Sequence, residues 1–361
     1  MTALDALWYG TSLSARVARA ALTPATWAYG AGVRLRARRY ADPSSVSVPP
    51  VPALSIGNLT VGGTGKTPVA VWAADALQRR GASPAIVMRG YGDDEPLVHA
   101  RLNPGVPVVA DPDRLAGARR AAAEGADCVV LDDAFQHRRI ARISDWVLVS
   151  ADRWPQELRL LPAGPLREPV DGLRRADVVV VTRKQASLAL AESIGDELAI
   201  RYSNLGVAVC HLRLSELRNA TSGVSRPLSW LHGRRLLAAA AVGDPSAFFA
   251  QLRAEGAELR TRSFADHHAF SAADVAALAD AGHGVEGVIC TLKDAVKLGP
   301  LWPATAAPLW YVSQIAEFER GSALLDRALG AVLAARQAAP STAGPAGHRS
   351  LKNGPQSSTA D

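Results

Sequence analysis

Three cysteines in 361 residues are too few for a disulfide scaffold, and each of them, Cys128, Cys210 and Cys290, lies in an apolar run that reads as a strand. Buried thiols in a reducing compartment are expected, and neither a disulfide nor a thiolate metal site is. Long apolar runs are lacking too. The longest, 236–242, has the length of a core strand, whereas a bilayer span needs roughly 18 residues. No basic region precedes an apolar one at the N-terminus, so no secretory signal is expected and the chain reads as cytoplasmic. Acidic residues are scarce at one end: residues 1–40 hold only Asp5, against Arg16, Arg19, Arg34, Arg36, Arg38 and Arg39, while the whole chain carries +6.

What is present is enough for a large core. Hydrophobic residues make up 48% and charged residues 20% of the chain, and at about 100–200 residues per domain this length predicts two domains. The basic N-terminal segment also carries Trp8, Tyr9, Trp27 and Tyr29 among aliphatics. Arginine, aromatic and aliphatic side chains together suit an amphipathic helix in a lipid headgroup layer. They equally suit a basic helix packed on the protein's own body or touching nucleic acid.

Between residues 52 and 214 short apolar runs (53–56, 85–88, 106–109, 128–131, 146–150, 178–181, 207–212) alternate with helical segments such as 67–80 and 113–124. That alternation predicts a parallel sheet with helices on both faces. A second, shorter series follows from residue 235. The expected organisation is an N-terminal amphipathic helix over 1–44, a P-loop NTPase-like α/β domain over 45–214, a linker over 215–234, and a smaller α/β domain over 235–337. A Pro/Gly/Ser/Thr-rich tail over 338–361 has too little apolar surface to order.

The strongest local signal is Gly57-Asn58-Leu59-Thr60-Val61-Gly62-Gly63-Thr64-Gly65-Lys66-Thr67, after a strand and running into a helix. Glycines let backbone N–H groups turn onto phosphate oxygens, the helix N-terminus adds its positive end, Lys66 reaches the β/γ-phosphates, and the Thr67 hydroxyl can ligate Mg²⁺. Residues 60–67 are therefore the nucleotide-binding candidates. Thr60 occupies the position of the first glycine in the strict pattern. Val61 stands where ATPases that partition DNA or insert proteins carry a second lysine. Asp132 and Asp133, after an apolar strand, supply carboxylates for a metal shell.

With these residues in view, the chain resembles the tetraacyldisaccharide 4'-kinases of lipid A biosynthesis. The resemblance rests on the P-loop segment through Pro68, Arg89-Gly90-Tyr91-Gly92, Asp94-Glu95-Pro96, Leu131-Asp132-Asp133-Ala134-Phe135-Gln136-His137, Leu161-Pro162-Ala163-Gly164-Pro165-Leu166-Arg167-Glu168, Asp266-His267-His268 and Lys293-Asp294-Ala295-Val296-Lys297. Two departures stand out: Gly92-Asp93-Asp94 fuses two motifs that the family separates, and Leu292 replaces a usual Glu. The resemblance implies ATP and Mg²⁺ as cofactors and phosphorylation of a tetraacyldisaccharide 1-phosphate to lipid IVA. It further implies a peripheral location at the cytoplasmic face of the inner membrane, with an acylated disaccharide and an anionic surface as partners and no nucleic-acid or protein partner.

Phosphoryl transfer to a sugar hydroxyl needs charge neutralisation and a base. Lys66 and Arg167 are the cationic candidates. Asp94, just past the second strand, is the candidate base, with His267 of the second domain as its partner if the two domains meet. Asn58, Arg89, Tyr91, Glu95, Gln136 and His137 are candidate substrate contacts. Two other classes share the P-loop: a kinase or ligase of a small soluble metabolite, which does not need residues 1–40, and a membrane-recruited nucleotide switch, which needs neither Asp94 nor His267.

Overall fold

Runs of Val, Ile, Leu and Ala become strands, and every residue of β1 (Ala53–Asn58), β2 (Pro84–Met88) and β4 (Cys128–Asp132) is buried, as strands covered by helices on both faces must be. The structure is a computed structural model that describes residues 3–90, 94–155 and 157–338. Tyr91, Asp93 and, apart from the end of the last helix, the expected tail lie outside the described residues. The remaining strands are β3 (Val108–Ala110), β5 (Ser144–Ser150), β6 (Val178–Arg183), β7 (Gly206–Asn219), β8 (Ser225–Arg226), β9 (Arg235–Ala240), β10 (Glu258–Ser263), β11 (Val288–Thr291) and β12 (Leu309–Arg320). The helices are α1 (Ala3–Tyr9), α2 (Leu13–Ala21), α3 (Thr23–Arg39), α4 (Lys66–Arg79), α5 (Asp94–Leu102), α6 (Arg114–Ala123), α7 (Leu188–Arg201), α8 (Pro245–Ala254), α9 (Ala272–Ala281), α10 (Leu292–Leu298) and α11 (Ser322–Ala338).

The strands form one sheet in the order β10-β9-β11-β12-β7-β6-β5-β1-β4-β2-β3, with β8 paired to β7. Each α/β series is internally parallel, as the alternation predicts. They join through an antiparallel ribbon, β7 against β12, running from Asn219↔Trp310 to Val209↔Arg320. Residues 215–219, expected to open a linker, are thus the far end of β7. Ser215 and Glu216 are half-buried, and exposed Arg218 lies between buried Leu217 and buried Asn219.

The antiparallel joint decides where chemistry can occur. Because β12 runs against β7, the carboxyl ends of β9 and β11 point back toward those of β1, β4, β5 and β6. Ligands bind outside the carboxyl ends of parallel strands, so here two such edges face each other across one cleft. On one sheet face, Leu325, Leu329 and Val332 of α11, at helical spacing, pack with Val69, Ala73 and Leu77 of α4 in a single cluster. The last helix thereby staples the second series onto the first.

Residues 3–39 form three helices, not the one expected. Gly10 closes the first through its N–H to Ala6 O, Ser12 caps α2, and Pro24 starts α3. The segment is tied to the body: Trp8 Nε1 donates to Pro162 O at 3.0 Å, Tyr29 Oη to Arg167 O at 2.8 Å, and Arg153 pairs with Asp5 at 2.8 Å. Arg19, counted above with the basic surface, is buried and donates to the Leu7 and Gly10 carbonyls. No helix among the described residues is long and apolar enough to cross a membrane.

Candidate active site

The P-loop leaves β1 at the point where the chain turns to opposite sides of the sheet, and it enters α4 at Lys66. Gly62 (φ 113°) and Gly65 (φ 85°) take left-handed backbone that side chains disfavour. At Gly65 a Cβ would also stand 2.4 Å from a Leu212 methyl. The loop is braced from behind. Asn58 Nδ2 donates to Thr60 O at 2.7 Å and Thr64 Oγ1 at 3.1 Å, and Thr182 Oγ1 donates to Thr64 O at 2.9 Å. Asn58 is fully buried, so its expected contact with substrate is corrected to a support for the loop. Thr60 is likewise buried, in a bridge with Leu166, rather than facing the cleft.

The cleft measures about 1020 Å³. The P-loop from Val61 to Thr67 lines one side, Asp266, His267 and Lys293 the other, and Tyr29, Val33 and Arg36 of α3 contribute a wall. Arg89, Glu95, Gln136 and His137 also line it, as their candidate roles require. Arg167 faces the cleft: its Nη1 lies 2.8 Å from Asp133 Oδ1 and 3.4 Å from Gln136 Oε1. The neighbouring Glu168 pairs instead with Arg175, at 2.9 Å.

Asp133 (φ 50°) gathers both cations, with Lys66 Nζ at 3.7 Å from the same oxygen. Burial alone would raise its pKa, but Lys66 and then Arg167 outweigh it and hold the carboxyl below its usual range. Asp132 is buried, accepts or shares a proton with His99 Nε2 at 2.8 Å, and keeps Oδ1 without a partner. That orphaned acceptor beside Thr67 and Asp133 fits a hard cation with oxygen ligands. No cluster of three or more His, Cys, Asp or Glu side chains that could hold a metal ion exists among the described residues.

Asp94, buried at the head of α5, and His267, in the loop after β10, are brought together across the cleft: Nδ1 of His267 is 3.7 Å from Asp94 Oδ2. His267 takes a left-handed φ of 59°, unusual for a side chain other than glycine. Lys297 Nζ lies 3.5 Å from the same Asp94 oxygen, and Lys293 Nζ 2.8 Å from His267 Nε2. Burial pushes Glu95 up, opposed by Lys293 and assisted by Asp132. Burial drives His137 down to about 4, helped by Arg114. Sequence reasoning gave no role to His99, Lys293 or Lys297. The two lysines at i, i+4 on a short helix were the available signal. His99 on the inner face of α5 carried none, because a lone histidine there also reads as core.

A glycine-rich phosphate loop at a sheet switch point, a carboxylate pair beside it and a base candidate across the cleft define a P-loop phosphotransferase. Comparison with known proteins narrows the class. The family model described as tetraacyldisaccharide-1-P 4'-kinase matches residues 18–333, and the chain belongs to that family of kinases. It is 39% identical over 318 residues to a tetraacyldisaccharide 4'-kinase of Anaeromyxobacter dehalogenans, covering 78% of this chain and 82% of the relative. With that of Halorhodospira halophila it shares 38% over 330 residues, 84% and 90% of the two chains. A crystal structure of LpxK from Aquifex aeolicus in complex with ATP superposes with a TM-score of 0.70 at 26% identity, covering 87% of this chain and 99% of that one.

Proposed function

We propose that this chain transfers the γ-phosphoryl group of ATP to the 4'-hydroxyl of a tetraacylated disaccharide 1-phosphate. The observation that carries the reading is that the P-loop and His267 line one cleft walled by α3, with the buried Asp94 3.7 Å behind the His267 ring. Lys66 and the N–H groups of residues 62, 63 and 65–67 bind the phosphates, and Arg167 stabilises charge on the transferred group through its guanidinium fork. Thr67, Asp132 and Asp133 would hold Mg²⁺, which when bound would neutralise phosphate charge. Asp94 takes the proton as the sugar O–H bond breaks. A new O–P bond forms, the bond from the γ-phosphorus to the ADP oxygen breaks, and His267 holds Asp94 in place. Arg89, Glu95, Gln136 and His137 contact the sugar and its phosphate.

The lipid reaches this cleft from an anionic membrane surface, in our reading the cytoplasmic face of the inner membrane. Leu13, Val17, Trp27 and Leu35 are exposed on α2 and α3 beside Arg16, Arg34, Arg38 and Arg39. Such a face has no use in a kinase of soluble metabolites. Mass spectrometry of lipid after incubation with Mg-ATP and a tetraacyldisaccharide 1-phosphate tests the proposal. One added phosphate on the lipid is expected, and ATP consumed with the lipid unchanged would refute it.

A further inference from the structure

The Lys293–Lys297 segment has no part in the chemistry described so far, yet α10 aims two of its side chains at the Asp94–His267 pair. Asp294 roots the helix: it is fully buried and accepts from Thr291 Oγ1 at 2.7 Å and from the Ala241 N–H at 3.2 Å. The carbonyl of the same Ala241 accepts the His267 N–H at 3.2 Å. The first turn of α10 and the strained backbone of His267 are therefore held to one residue. Lys293 and Lys297, a turn apart on one face, then reach His267 Nε2 at 2.8 Å and Asp94 Oδ2 at 3.5 Å. Lys297 also donates to His268 O at 2.9 Å.

An ammonium has three donors and no acceptor. Its contact at 2.8 Å requires His267 Nε2 to be the bare, accepting nitrogen. The single ring proton of a neutral imidazole then sits on Nδ1, the atom that faces Asp94. We propose that Lys293 is a positioning residue that fixes His267 as the neutral Nδ1–H tautomer, so that the ring presents an N–H edge to Asp94 and leaves its carboxylate to accept the substrate proton. No proton passes through Lys293. The inference rests on the Asp94–His267 reading above and extends it by naming what orients the pair.

Nitrogen NMR of the full chain labelled with ¹⁵N-histidine tests this without turnover, with the His267 signals identified by their loss in His267→Gln. The wild type should show His267 protonated on Nδ1, Lys293→Arg should keep that state, and Lys293→Met should lose it. In parallel, kcat should fall roughly 100-fold in Lys293→Met, as for a misplaced reacting group, with KM for ATP within about twofold, and Lys293→Arg should recover much of the loss. An Nε2–H tautomer in the wild type, or an unchanged tautomer in Lys293→Met, overturns the proposal. An Nδ1–H tautomer together with a fully active Asp94→Asn enzyme would leave the positioning role of Lys293 standing and move the base elsewhere.

Discussion

Nδ1 of His267 stands 3.7 Å from Oδ2 of Asp94, one residue leading α5 of the first α/β series and the other following β10 of the second. The contact exists because β7 and β12 pair antiparallel and turn two sets of strand ends toward each other. Anything that loosens that ribbon acts on catalysis from a distance.

Lys66→Ala removes one of the two cations on Asp133 and the main point charge of the phosphate cradle. Turnover should drop by at least about 100-fold, while the circular dichroism spectrum and unfolding midpoint stay close to wild type, since Lys66 packs no core. Wild-type turnover would remove the phosphate-cradle assignment.

His137 titrates near 4 in the folded chain, because burial and Arg114 disfavour its charge, against an ordinary value of 6.5. The unfolded chain therefore binds more protons in that window, and the His137 contribution to stability is complete above about pH 6.5 and lost as pH falls toward 4. Urea midpoints at several pH values should show a shallower acid decline for His137→Gln than for the wild type. Parallel curves would assign the acid sensitivity to other groups.

How much of this was legible without coordinates depends on whether the signal is contiguous. The P-loop is one unbroken segment whose glycines and lysine have a mechanism residue by residue, and residues 61–67 line the cleft as expected. Asn58 belongs to that same segment, but composition does not say which way a side chain turns, and it turns inward. The β7–β12 ribbon pairs residues about a hundred apart, and no local pattern encodes register at that distance. Ser215 and Glu216 read as linker for that reason. Arg19 failed similarly: an arginine on a short helix reads as surface, whereas here it satisfies two carbonyls at the break after α1.

Asp132→Asn keeps the shape of the carboxylate that has an orphaned buried oxygen but removes its charge. Half-saturation of turnover with Mg²⁺ should move about tenfold or more upward, with little change in the salt dependence of membrane binding. An unchanged Mg²⁺ requirement would take Asp132 out of the metal shell.

Replacing Arg16, Arg34, Arg38 and Arg39 with Gln should sharply weaken sedimentation with anionic liposomes, since each arginine near such a surface contributes about 1 kcal/mol. Raising ionic strength should reproduce the effect on the wild type. These side chains are exposed, so the variant should fold. Equal binding by the two proteins at low salt would contradict the membrane reading of α2 and α3.

Assembly of the base from both halves of the sheet is tested by a double-mutant cycle on kcat with Asp94→Asn, His267→Ala and the pair together. Each single should lower kcat by about 100-fold or more, as loss of a general base does, with ATP affinity nearly unchanged. Because two residues acting as one unit are not additive, the double variant should be little worse than the poorer single. Fully multiplicative losses, or a wild-type rate in Asp94→Asn, would contradict it.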